Sequence, residues 1–231
     1  MRFLFCENAG ELNVILEAEA FLHLKARRVR VGETIAMRNL RDDRLYFYSI
    51  VELKKTRATA TLEGDEIKIV LCDRAIDLAW CVVDPKTIEK TLPFLNEIGA
   101  RKLYLLWSEK SQRGFHLSLN RFDRILNASC EQCGRSQKMK IEIMELAEFV
   151  AQNRRIASLD FNAPTIEQNA APDQILIVGP EGGFGAKDYE TLKNYPRYSL
   201  STPLVLRSET AIILTAARAL PSQPRRANGG L

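Results

Sequence analysis

No apolar run in the 231-residue sequence approaches the roughly 20 residues of a membrane-spanning helix. The N-terminal MRFLFCENAG carries one arginine and too short an apolar stretch for a secretory signal. The expectation is a cytoplasmic protein with no membrane partner. Histidine is scarce, limited to His23 and His116, and the cysteines number five, an odd count. One CxxC, Cys130 and Cys133, has no second pair, so a zinc framework is a poor reading and no metal is expected. The pair falls late in an amphipathic stretch, with Phe122, Ile125, Leu126 and Cys130 at helical spacing, and reads as buried helical thiols. GxGxxG is missing, and so is the lysine followed by Ser or Thr of a phosphate-binding loop. The common dinucleotide and nucleoside-triphosphate readings fail with them.

What is present fits a soluble chain of one large domain, or a small domain plus a medium one. Hydrophobic residues make up 46% and charged residues 27%, which is ordinary for a globular protein. Net charge is +4, informative only where it clusters. HLKARRVR, residues 23–30, is such a cluster, with Lys25, Arg27, Arg28 and Arg30. It reads either as a phosphate-neutralising run or as a charged guard on a strand edge.

Residues 1–72 read as short strands: NVILEAE, ETIAMRN, RLYFYSIVEL, RATATLE and EIKIVLC. Turn signals at Arg41-Asp42-Asp43 and Glu63-Gly64-Asp65 separate them, and 23–28 reads as a short helix. The spacing predicts a small β-barrel. From about 73 the pattern alternates. LAWCVVD is an apolar run suited to a strand buried on both faces. Asp84-Pro85 opens a helix that a proline at 93 would kink and that Gly99 closes. KLYLLW, KIEIM, RIASLDF and QILIVG follow as strands among helices, which predicts an α/β domain with a parallel sheet over 73–220. Residues 221–231 read as a flexible tail.

The most specific stretch is QILIVGPEGGFGAKDYE, residues 174–190. A strand ends in Gly179-Pro180-Glu181-Gly182-Gly183, beyond the carboxyl ends of the strands, where ligands of α/β proteins collect. Pro180 fixes one φ angle. Gly182 and Gly183 can take positive φ and let a ligand touch backbone. The alternative is a tight turn with no ligand. A second stretch, LSTPLVLRSETAIILTAARAL at 200–220, is an irregular apolar loop entering a helix. Ser208 reads as its N-cap and Glu209 as a first-turn carboxylate. Arg207 has no capping job and is available for phosphate or a nucleobase edge.

Taken together, VGPEGGFGAKDYE, LSTPLV followed by LRSETA, EQCGR at 131–135 and HLKARRVRVGETI resemble the RsmE family. These are bacterial methyltransferases of the knotted SPOUT superfamily that modify uridine N3 in small-subunit (16S) ribosomal RNA. The likeness covers nearly the whole chain in order. It departs at Leu200-Ser201, where the family usually has Leu-Gly, and at Ala26-Arg27-Arg28, where it has Val-Leu-Arg.

The resemblance implies a PUA-like barrel that binds RNA, a parallel sheet with a C-terminal trefoil knot, and a homodimer. It implies S-adenosylmethionine held by three loops, through Leu159, Gly179, Pro180, Gly182, Gly183, Leu200, Ser201, Leu204 and Leu206. Arg207 would hold phosphate or neutralise charge on the uridine oxygens. Glu209 or Glu181 would take the N3 proton or orient the base. Gln132 and Arg135 would read the uridine or its phosphate, and Lys25, Arg28 and Arg30 would bind RNA. The competing readings are a ribose 2′-O methyltransferase of the same fold and a catalytically idle ribosomal-RNA-binding protein.

Overall fold

Residues alternating between core and solvent build one sheet of this protein, and residues buried on both faces build the other. The computed structural model describes residues 2–72, 75–161, 163–165 and 174–217. Contacts divide the chain into two compact units: Met1–Leu71 with Asp123–Lys138, and Cys72–Phe122 with Met139–Leu231. The expected single cut at 72/73 lies one residue from the first of these divisions, but 123–138 group with the N-terminal unit, which the sequence did not suggest. Asp73 itself and the expected tail at 221–231 lie outside the described residues.

The first unit holds β1 (Leu4–Phe5), β2 (Asn13–Leu16), α1 (Ala18–Ala26), β3 (Thr34–Arg38), β4 (Arg44–Leu53) and β5 (Ala58–Ile67). They form a five-stranded sheet in the order β1-β3-β4-β5-β2. β1 runs parallel to β3, and the other pairs are antiparallel. Tyr46, Tyr48 and Ile50 alternate inward along β4 and pack with Leu16, Leu24 and Met37 in one core, as the two-residue period requires.

The turn read at Glu63-Gly64-Asp65 lies instead inside β5. Phe47 pairs with Gly64 and Tyr48 with Leu62, so Glu63 is the extra residue of a β-bulge, a place that tolerates glycine in a strand. The strand expected over 66–72 stops at Ile67. Beyond it, Lys68 N–H donates to the Asp43 carbonyl at 2.8 Å, and Val70 exchanges hydrogen bonds with Ser136. The turn read at 41–43 is present. There Asn39 Oδ1 accepts the Arg41 and Asp42 amides, the self-bonding expected of an Asx turn.

The helix α3 (Leu119–Cys133) contributes Asp123 onward to this unit. Cys130 is buried in a cluster with Phe3, Leu40 and Leu45, and Cys133 is half-buried.

The second unit is built on a six-stranded, wholly parallel sheet. Its strands are β6 (Ile76–Cys81), β7 (Ala100–Trp107), β8 (Lys140–Glu145), β9 (Ile156–Leu159), β10 (Ile175–Val178) and β11 (Arg197–Tyr198). The order is β11-β9-β10-β6-β7-β8, and each neighbouring pair is parallel. Leu78 through Val83 are all buried, which explains the continuous apolar run.

Its helices are α2 (Pro85–Ile98), α4 (Leu146–Gln152), α5 (Ala186–Leu192) and α6 (Ser208–Ala217). Asp84 caps α2 by accepting the Lys86 amide at 2.7 Å. The helix runs through Pro93 to Gly99, whose φ of 108° makes it a left-handed cap. α6 packs on α2, β10 and β6. The sheet order sets β11, β9 and β10 side by side, so the segments that follow them emerge at one end.

Candidate active site

Those three segments border a cavity of about 610 Å³, within the usual size of a small-molecule site. The glycine turn is its floor. Gly183 N–H donates to the Pro180 carbonyl at 2.8 Å, and Gly183 has φ of 68°, a conformation that favours glycine. The loop after β7 clasps this turn from behind. Lys110 Nζ donates to the Gly182 carbonyl at 2.7 Å. Asp188 accepts the Glu109 and Gly185 amides at 3.0 and 2.8 Å, and Glu109 accepts the Lys187 amide at 2.8 Å. A turn fixed at so many points presents its backbone in one geometry.

The segment after β9 is tied to the segment after β11. Asp160 N–H donates to Tyr198, and Ser199 N–H donates to Pro164, and Thr165 bridges Ser199. Asp160 lines the cavity. Its carboxylate accepts from the Tyr189 hydroxyl at 3.0 Å and from Arg197 at 3.3 Å. Burial, with the neighbouring carboxylate, raises the Tyr189 phenol.

The start of α6 differs from the N-cap expected at Ser208. Ala211 N–H bonds the Arg207 carbonyl at 2.9 Å, which puts the cap position at Arg207. The Ser208 hydroxyl instead donates to the Gly179 carbonyl at 2.6 Å and accepts Trp80 Nε1–H at 2.7 Å. Arg207 projects outward, its side chain 84% exposed, and reaches Glu209 at 3.8 Å.

Of the expected cofactor contacts, Leu159, Gly179, Pro180, Gly183, Leu200, Ser201 and Leu206 line the cavity together, with Glu181 and Arg207. Gly182, Leu204 and Glu209 do not. Gly182 is turned toward Lys110, and Leu204 is exposed. Asp160, Tyr189 and Ser208 also line it. The sequence reading missed the first two and mistook the third for a cap. Their one available signal was position: Asp160 directly follows a strand at its carboxyl end.

This donor set fits S-adenosylmethionine. Backbone from three loops meets an apolar wall of Val178, Leu200 and Leu206, and Asp160 and Glu181 bring negative charge to a cationic ligand. Cys81, at the end of β6, is fully buried and does not line the cavity, and desolvation pushes its thiol up to about 12. Among the described residues no group of three or more His, Cys, Asp or Glu is arranged to hold a metal ion.

In the first unit, Lys25, Arg28 and Arg30 are exposed, as is Arg27. The run lies outside the strands. It ends α1 in a tight turn, with Arg28 N–H on the Lys25 carbonyl at 2.9 Å and Arg28 at φ of 56°. Cations suit a helix C-terminus, which is the bland account of Lys25. It does not extend to Arg28 and Arg30. Gln132 is exposed, whereas Arg135 is buried.

Residues 72–220 match the family model of the RNA methyltransferase domain. A protein of Helicobacter pylori strain J99 named ribosomal RNA small subunit methyltransferase E is 35% identical over 222 residues, 94% of this chain and 98% of that protein. A Legionella pneumophila protein solved with S-adenosylmethionine bound superposes with a TM-score of 0.81 at 24% identity, over 94% of this chain and 96% of that one. A Neisseria gonorrhoeae ribosomal RNA small subunit methyltransferase E, also solved with S-adenosylmethionine, gives 0.79 at 21% identity, over 94% and 95%. The last two speak for the fold.

Proposed function

The chain belongs to the RNA methyltransferase family, and on that premise we propose that it transfers a methyl group from S-adenosylmethionine to N3 of a uridine in small-subunit (16S) ribosomal RNA. The observation that carries this reading is the convergence of three loops on one cavity with Arg207 at its mouth. The cofactor, when bound, supplies an electrophilic methyl group. The chain's own residues then have two tasks: positioning the base, and handling the N3 proton.

Leu159, Gly179, Pro180, Gly183, Leu200, Ser201 and Leu206 hold the cofactor. Asp160 supports it from the edge. Arg207 neutralises the charge that develops on the uridine oxygens as N3 loses its proton. Glu181, which lines the cavity, accepts that proton on this reading. Glu209 adds only a long charge contact to Arg207, at 3.8 Å. Lys25, Arg28 and Arg30 bind RNA phosphate and add affinity without chemistry. Gln132 is an RNA contact, whereas Arg135, being buried, is not part of the RNA surface.

The same reading makes the five-stranded unit a PUA-like barrel and gives the parallel sheet a C-terminal trefoil knot, the last helix threaded through a loop. It makes the protein a cytoplasmic homodimer. Phe161, Leu204 and Val205 are 64%, 68% and 82% exposed, and an apolar rim of this kind suits a partner surface. Among the described residues no helix is long and apolar enough to cross a membrane.

Calorimetric titration with S-adenosylmethionine tests the reading. One site per chain is expected, and a folded protein that binds none would overturn it.

A further inference from the structure

Building on the reading of the cavity as the methyl-transfer site, we propose that Ser208 is a positioning residue, locking Arg207 to the glycine turn through a buried hydrogen-bonded bridge to Trp80. The bridge joins three elements. Trp80 Nε1–H, on β6, donates to Ser208 Oγ at 2.7 Å, and Ser208 Oγ–H donates to the Gly179 carbonyl at 2.6 Å, at the end of β10. Ser208 is 5% exposed and Trp80 fully buried. A serine at a helix start ordinarily spends its oxygen on a free amide of the first turn. This hydroxyl has its one proton and one acceptor site committed elsewhere.

The consequence reaches Arg207 through the chain. The Arg207 side chain is exposed and meets Glu209 only at 3.8 Å, so its place at the cavity mouth is set by the backbone at 207–208. That backbone is pinned by Ser208 to the carbonyl of Gly179, the first residue of the cofactor turn. The arginine that meets the base and the turn that meets the cofactor are therefore held as one piece. Removing the hydroxyl leaves the Trp80 N–H and the Gly179 carbonyl without their shared partner, and buried polar groups left so are costly.

The test compares Ser208→Ala, Ser208→Thr and Trp80→Phe with the wild type. It reads S-adenosylmethionine Kd by calorimetry, kcat at saturating cofactor and RNA, and the thermal midpoint. Ser208→Ala should raise Kd and lower kcat by about tenfold each, the scale of one buried hydrogen-bond partner lost. Ser208→Thr keeps the hydroxyl and should restore both. In an Arg207→Ala background, Ser208→Ala should lower the residual kcat no further, because the residue it positions is gone.

Two results overturn the proposal: a lowered midpoint with unchanged Kd and kcat, or the same fold-loss of kcat in both backgrounds. Should Ser208→Ala not fold, Trp80→Phe decides. It removes the donor to Ser208 together with part of the buried indole volume and should give a smaller loss of the same kind, and wild-type Kd and kcat would refute the bridge. Failure of the wild type itself to bind cofactor would instead reject the underlying reading of the cavity.

Discussion

The two sheets of this protein put their candidate functional residues in different kinds of places. The parallel sheet sends the segments after β9, β10 and β11 out at one end, so residues as far apart in sequence as Leu159 and Arg207 share one cavity. The mostly antiparallel sheet turns at alternate ends, and its basic residues are laid along the end of α1 in the open. A parallel sheet concentrates loops because every strand needs a crossover. Chemistry that needs several groups around one atom suits it. Affinity that needs only spaced charges suits the other. On this account substitutions in the cavity change rate, and substitutions in the basic run change binding.

The sharpest way to break that division is Arg207→Ala. It should lower kcat by about 10²–10³, the cost of losing a stabiliser of transition-state charge, with RNA affinity nearly unchanged in a filter-binding assay. A large loss of affinity with normal kcat would put Arg207 on the binding side.

Next in size is a contrast between two glycines. Gly99 has φ of 108°, and a Cβ there would fall on the Cys72 side chain. Gly99→Ala should cost about 2–4 kcal/mol in urea unfolding, from backbone strain and overpacking together. Gly64, at the bulge in β5, has nothing within 4 Å of such a Cβ. Gly64→Ala should shift stability by less than about 1 kcal/mol.

Changing Arg28 and Arg30 together to Ala should weaken RNA binding several-fold. It should reduce the slope of log K against log salt by about 1–2, as two phosphate contacts are lost, while leaving kcat at saturating RNA intact. An unaltered slope would return the run to a solvated helix end.

The smallest effect concerns pH. Glu131 is buried on α3, its carboxyl raised by desolvation against a smaller opposing pull from the Phe5 amide and His23. A carboxyl raised in the folded state binds its proton more tightly there than in the unfolded chain. Stability it contributes is therefore full at acid pH and lost as pH rises through the raised value. Glu131→Gln keeps an acceptor for Phe5 and should raise the thermal midpoint at pH 7. That gain should shrink to nothing below the ordinary carboxylate range.

Local signals carried most of the fold. Asp84-Pro85 and Gly99 bracket α2 because capping and left-handed φ are properties of single residues. LAWCVVD announced a strand buried on both faces. What stayed hidden depended on distant partners. Glu63-Gly64-Asp65 has the composition of a turn, and only the register against Phe47 and Tyr48 makes it a bulge. Residues 68–72 are apolar enough for a strand but bond to Asp43 and Ser136. β1 and β11 are two residues long, too short for any periodicity.

In the site, the glycine turn was legible because its shape needs particular residues. Asp160 gains its setting from Tyr189 and Arg197, about 30 and 40 residues away, which no window captures. Ser208 looked like a cap because the sequence cannot show that Trp80 lies beneath it.

The most direct measurement is nucleoside mass spectrometry of small-subunit ribosomal RNA after incubation with the protein and S-adenosylmethionine, beside an Arg207→Ala control. The account predicts N3-methyluridine approaching one per RNA with the wild type and little with the variant. Methyl found only on a ribose oxygen, or none despite cofactor binding, would contradict it.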